Sequence, residues 1–549
     1  MKTINVILDK YKWVILGVIL VVAIIFRFWQ LGAVPVSPDW DEAALGYNAY
    51  SILHTGRDEY GAFLPVVMRS FDDYKPALYS YISIPSVALF GLNVWAVRLP
   101  SAVFGVLTVL AVYFIAKELF KKESVSLLSS FLLAISPWHI QFSRLAFESN
   151  VGLAFNVFGA LFFLKGLKRP WVLFLSIASF VASAYVYQSE KVFSPLILLA
   201  LAIIFKKELF KLPKKYIYSA VLLGFILSLP MLWYIVSNKN ALERAQGVSV
   251  FADQSSLKQD AARLLTDRQN HDYLGLVLDN RRFVFAKEVV ANYISHFDFN
   301  WLFITGDLSR HHAPNMGLVY IWELPFILAG IYFLLFGEYD KKTKWTIFSW
   351  YLLAPVAASV TTGVPHAVRA LNLLPTYQIF SAIGIISLFT LIKNKKFLFK
   401  TGLVIIILCA VLNISYYADQ YFVQTNYYTA IDWQYGYQEA VPTVKAILPK
   451  YKKVIVSNQP YMDQSYMFFL FYLQYPPREY QIDSAMASGG FRENHQFGKF
   501  EFRTINWNTE KKSSDILYVG RASDFPPNAK VIKTVTFPNG KPAMLLVEG

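Results

Sequence analysis

Apolar runs close to membrane-spanning length constrain this chain more than any other feature. "KWVILGVILVVAIIF" and "GLVIIILCAVLNI" are two of several that are almost free of charge. A helix needs about 20 such residues to cross about 30 Å of hydrocarbon. Composition agrees: of 549 residues, 55% are hydrophobic, 17% aromatic and only 16% charged, too few charges for a soluble chain of this length. The chain reads as a polytopic α-helical membrane protein.

The net charge of +15 is then a matter of topology rather than a nucleic-acid footprint, and no nucleic-acid partner is expected. Basic residues cluster at Lys2/Lys10/Lys12, Lys117/Lys121/Lys122, Lys165/Lys168/Arg169, Lys206/Lys207/Lys211/Lys214/Lys215, Lys341/Lys342/Lys344 and Lys393/Lys395/Lys396/Lys400. Under the positive-inside rule these six segments are cytoplasmic, which predicts about eleven spans in the cell membrane, the N-terminus inside and the C-terminus outside. No small-residue cleavage site follows the first apolar run, so it reads as a retained span. "ALYSYISIPSVALFGL" breaks the parity if counted as a span, and its Tyr, Ser and Pro content fits a helix lying in the interface. The single cysteine, Cys409, excludes an internal disulfide. Past about residue 418 the pattern changes. "KKVIVSN", "DILYVG" and "AKVIKTVTFPNGKPAMLLVEG" read as strands, the last a hairpin turning at Asn-Gly. "WQYGYQEAVPTVKAIL" and "QSYMFFLFYLQY" read as helices. Residues 1–418 are therefore expected to form the membrane domain and 419–549 an external α/β domain.

The first outer segment, "SPDWDEAALGYNAYSIL", carries three acids. Asp39 and Glu42 have capping-box spacing at the start of a helix. That explains Asp39, and Glu42 in part, but leaves Asp41 in the first turn facing elsewhere. A carboxylate at a helix N-terminus is held ionised, which suits a general base. The same loop holds Lys75, kept extended by the proline after it. Other outer turns place charge near span ends: His139, Arg144 and Glu148 in "SPWHIQFSRLAFESN", Glu190 and Lys191 in "YVYQSEKVFSPL", and His366 and Arg369 in "TTGVPHAVRALNLLP". Ionisable groups at membrane depth are costly and mark function. Several cations beside one carboxylate at the same face describe a pocket for a lipid-linked phosphate with a base beside it.

These motifs, with "LFITGDLSRHHAPNMGLVYIWELP", resemble the glycosyltransferase C superfamily, and within it bacterial relatives of protein O-mannosyltransferases and aminoarabinose transferases. The resemblance runs from the first span to about Pro375. It implies an inverting membrane glycosyltransferase that moves a sugar from a polyprenyl-phosphate-linked donor to an extracytoplasmic acceptor: a glycan, a lipid or a protein. It also implies Asp41 as base, Glu42 as its acidic partner, and Lys75, Arg144 and Arg369 around the donor phosphate. Asp39, His139, Glu148, Lys191 and His366 are weaker substrate-binding candidates. The chain departs from the family in having Lys-Pro-Ala for Lys-Pro-Pro and in lacking an Arg after Asp-Glu. No cofactor is expected to be required. Asp39, Asp41, Glu148 and Asp307 are the hard oxygen ligands available if Mg²⁺ or Mn²⁺ takes part. The alternatives are a transporter or flippase, which calls for charges buried mid-span, or a ligase of lipid-linked glycans.

Overall fold

The computed structural model describes residues 2–71, 73–238, 247–252, 255–483 and 494–549. The first half runs α1 (Lys2–Phe28), α2 (Trp40–Thr55), β1 (Val67–Ser70), β2 (Asp73–Pro76), α3 (Leu78–Phe90), α4 (Val94–Phe120), α5 (Glu123–Ile135), α6 (Pro137–Ser143), α7 (Glu148–Gly166), α8 (Val172–Ala184) and α9 (Glu190–Ile204). Among the described residues six helices are long and apolar enough to cross a membrane: α1 from Ile7, α4, α7, Lys214–Ser237, Leu371–Leu391 and Lys396–Tyr428. Counted as one bent span, α5 and α6 would raise the number to seven. They meet at 60°, where Pro137 cannot donate to the helix before it and instead opens the next one.

The helices sort by exposure. The apolar faces of Lys396–Tyr428 and Lys214–Ser237 lie open, while α7 is mostly buried between α4 and α8. Close approach on α7 depends on small residues: a Cβ at Gly159 would meet the Phe180 ring at 2.9 Å.

Between α1 and α4, α2 forms with the capping box its sequence specifies. Asp39 accepts from the Glu42 N–H at 2.9 Å, and Glu42 accepts from the Asp39 N–H at 3.3 Å. The helix ends at Gly56, whose φ of 68° is the left-handed conformation a glycine tolerates. The antiparallel pair β1–β2 follows, with Lys75 opposite Met68.

The C-terminal region contains a six-stranded sheet of β3 (Lys453–Val456), β4 (His495–Phe497), β5 (Phe500–Phe502), β6 (Ile516–Gly520), β7 (Lys530–Thr536) and β8 (Pro542–Glu548), in the order β4-β5-β3-β6-β8-β7. Strand β3 runs parallel to both β5 and β6, and β7–β8 is an antiparallel hairpin. Its turn uses Gly540 at φ +82°. The reading of the sequence contained no strands at "HQFGKFEF", because segments of three residues are too short to show a period.

The C-terminal region packs against the helical body through α2. The helix Ser465–Leu473 packs on it, and the Tyr47 hydroxyl donates to the Tyr475 carbonyl at 3.0 Å. A Cβ at Gly46 would meet Val97 at 2.5 Å and Phe471 at 2.9 Å. One apolar cluster therefore includes Ala43 and Leu45 of α2 together with Phe468 and Phe471.

Candidate active site

A cavity of about 200 Å³ lies where six segments spread along the sequence meet. Asp39 and Asp41 come from the start of α2, and Lys75 from β2. Glu148 opens α7, and Tyr187 precedes α9. Arg310 and His311 belong to the loop after Thr305, and His366 and Arg369 to the loop before Leu371.

Local structure aims each group. Asp41 sits in the first turn of α2, one residue past the start, so the cap occupies Asp39 and Glu42 while Asp41 faces the cavity. The Lys75 Nζ donates to Asp41 Oδ1. Burial works against the Lys75 charge, but Asp41 and Glu148 outweigh it and hold the ammonium above the usual lysine range. The extended strand that carries Lys75 is pinned from α9's approach, where Gln188 donates to the Tyr74 carbonyl at 2.7 Å. Arg310 donates to Asp39 Oδ2 at 3.0 Å and lies over the Trp40 ring at 4.4 Å. Burial pushes Asp39 up to about 7 against the pull of Arg310. Arg369 is fixed by Thr361 Oγ1 and the Thr362 carbonyl, both at 2.7 Å.

A polar group of three stands beside this wall. His311 Nδ1 and Asp307 Oδ2 are 3.3 Å apart, and the Ala367 N–H donates to the same oxygen. Burial opposes the Asp307 charge, yet these bonds outweigh it and hold the carboxyl at about 2. Burial, and then His311, keep His366 low, at about 3.

Of the ten residues given catalytic or substrate-binding roles from the sequence, Asp39, Asp41, Lys75, Glu148, His366 and Arg369 line the cavity, and Glu42, His139, Arg144 and Lys191 do not. Glu42 is buried and turned inward: Arg98 Nε and Nη2 donate to its two oxygens at 2.9 and 2.8 Å, and the Ala146 N–H adds a third bond at 2.8 Å. Arg144 is fully buried, donating to the Phe26 and Val34 carbonyls at 2.9 and 3.1 Å and lying over the Phe422 ring at 4.8 Å. His139 is held against Arg27 at 2.6 Å. Lys191 lies in the first turn of α9, outside the cavity wall. Arg310, His311 and Tyr187 went unremarked in the sequence. The signal for the first two was the run "GDLSRHHAPN", polar between two apolar segments; a lone Tyr187 in an aromatic-rich chain offers none.

The chain thus combines a helical, membrane-type body, separate loops that converge on one acid–base cavity, and a mixed six-stranded sheet near its C-terminus. Residues 74–234 match the family model for dolichyl-phosphate-mannose-protein mannosyltransferase. The apo structure of ArnT from Cupriavidus metallidurans is similar with a TM-score of 0.54 at 11% identity, over 98% of this chain and 98% of that one. ArnT bound to undecaprenyl phosphate gives 0.53 at 11% identity, over 98% of each chain. The archaeal oligosaccharyltransferase AglB from Archaeoglobus fulgidus, in complex with an inhibitory peptide and a dolichol-phosphate, gives 0.53 at 12% identity, over 94% of this chain and 70% of that one. No curated protein matches. At these identities the structural likeness is one of fold.

Proposed function

We propose that this chain is a membrane glycosyltransferase that moves a sugar from a polyprenyl-phosphate-linked donor to an extracytoplasmic acceptor with inversion. The observation that carries the reading is the pairing of Asp41 with Lys75 at a cavity also faced by Arg310 and Arg369. In this reaction Asp41 takes the proton of the acceptor as its nucleophilic atom attacks the anomeric carbon. The bond from that carbon to the phosphate oxygen breaks, its electron pair leaving with the phosphate. Lys75, Arg369 and Arg310 bind the phosphate and offset the charge that develops on it. Glu42 supports the site from behind by fixing the start of α2, and Arg144 by joining α1 to the segment after α6. The likeness to ArnT bound to undecaprenyl phosphate supports the lipid phosphate as ligand. The transporter or flippase reading gains no such support.

Eleven spans follow if five helices of 13 to 15 residues, α5, α8, α9, Leu324–Phe336 and Lys341–Leu353, join the six longer ones. With the basic clusters inside, the cavity and the region 419–549 then lie on the external face of the cell membrane. The test is transfer by the purified protein from a panel of polyprenyl-phosphate sugars to envelope acceptors, followed by mass spectrometry. Absence of transfer from every donor, with lipid-linked sugars unchanged in cells lacking the protein, sinks the reading.

A further inference from the structure

We propose that Asp307, His311 and His366 form a binding site for a divalent transition-metal cation of the zinc class. Their ligand atoms all lie within 4.8 Å of one another. They come from two loops: Asp307 and His311 stand four residues apart in one, and His366 in the other. The donors of a tetrahedral zinc site are about 3.4 Å apart, given bonds of about 2.0–2.2 Å. The His311–Asp307 pair, at 3.3 Å, already has that spacing, and the His366 ligand atom lies within 4.8 Å of both.

A purely structural role accounts for part of this arrangement. Asp307 accepting from His311 and from the Ala367 N–H would by itself tie the two loops together. It leaves His366 unexplained: its Nδ1 is buried and has no hydrogen-bond partner among the described residues. A metal ion uses the lone pair that the hydrogen-bonded network does not. The backbone bonds fit the same role, since the Ala367 N–H orients the carboxylate and the His366 N–H donates to His296 Nε2 at 3.4 Å, supports of the kind that hold metal ligands in place.

The donor set decides the metal. Two imidazoles and one carboxylate suit zinc and disfavour Mg²⁺, which takes oxygen ligands. This is a different set from the all-oxygen one that the sequence offered. There Asp39 is engaged by Arg310 and Asp41 by Lys75. Three protein ligands leave a fourth position, and because His311 and His366 both line the cavity that position faces it. On the reading of the cavity as a donor-phosphate site, the ligand completing the coordination is a phosphate oxygen.

Tag-free full-length protein, stripped with a chelator, is titrated calorimetrically with Zn²⁺ and separately with Mg²⁺; Co²⁺ serves as a spectroscopic probe. The expected result is one Zn²⁺ per chain, no heat with Mg²⁺, and a tetrahedral Co²⁺ absorption band. His311→Ala and His366→Ala should each weaken Zn²⁺ binding by about 10- to 100-fold or more. Polyprenyl monophosphate should tighten Zn²⁺ binding to the wild type. No stoichiometric Zn²⁺ on the unaltered protein, or undiminished binding in both histidine variants, overturns the site. Zinc affinity indifferent to polyprenyl monophosphate overturns the phosphate ligand. Asp41→Asn separates the two proposals, since it should lower transfer by about 10²–10⁴-fold and leave Zn²⁺ binding intact. Transfer by zinc-free protein that takes up no Zn²⁺ would remove the metal alone.

Discussion

The ammonium of Lys75 donates to the carboxylate of Asp41, so the base and a phosphate-binding cation of the proposed reaction neutralise each other across the cavity. In the proposed reaction a donor phosphate competes for Lys75 and thereby releases Asp41 to accept a proton. Lys75→Ala should weaken donor use about ten- to a hundred-fold, the loss of one charge-assisted bond. Asp41→Asn should lower turnover by about 10²–10⁴-fold with donor affinity retained. Kinetics on purified variants decide this. Normal turnover in Asp41→Asn would transfer the role of base to Asp39 or Glu148, the other acids at the cavity.

Arg310 offers a separate test, because it joins a loop about 270 residues away to the cap of α2. It donates from one guanidinium nitrogen to Asp39 while the planar group lies over the Trp40 ring, a geometry lysine does not reproduce. Arg310→Lys should therefore raise the donor KM nearly as much as Arg310→Ala, while Asp39→Asn, which still caps the helix, should be milder than Asp41→Asn. An Arg310→Lys enzyme with wild-type donor KM would make this arginine a surface residue of the loop.

Glu42 is expected to behave as a structural residue. Removing one partner of a buried ion pair strands the other charge and costs about 3–5 kcal/mol, so Glu42→Ala should lower the melting temperature sharply. The double change Glu42→Leu, Arg98→Met should recover much of the loss. A melting temperature unaffected by Glu42→Ala, with activity abolished, would return Glu42 to the catalytic pair.

Glu59, beside Tyr466 and Tyr480 of the C-terminal region, makes stability depend on pH. Burial pushes Glu59 up from 4.5 to about 8, against a hydrogen bond from Asn48. Between those values the folded protein keeps a proton that the unfolded chain has released. Stability should therefore fall as pH rises from about 4.5 to 8. Glu59→Gln should flatten that slope in thermal unfolding measured across the window, and an unchanged slope would assign the dependence to other groups.

What the sequence determined by itself was everything set by local period and local chemistry. Runs of apolar residues specified the spanning helices because hydrocarbon accepts little else. The spacing of Asp39 and Glu42 specified a capping box, because the partners are three residues apart on one turn. Pro76 held Lys75 extended, and Asn-Gly turned the last hairpin. Tertiary structure decided what each charge does. Glu42 and Asp41 are neighbours in one acidic run, yet the first faces Arg98 and the second Lys75, because the helical turn separates their directions. Arg144 and Arg369 look alike at span ends. Packing put Arg144 against the carbonyls of Phe26 and Val34, and brought Arg369 to the cavity beside Arg310 and His311. Such encounters join residues hundreds of positions apart, and no local pattern encodes them: they follow from how the helices pack, which the chain settles only as a whole.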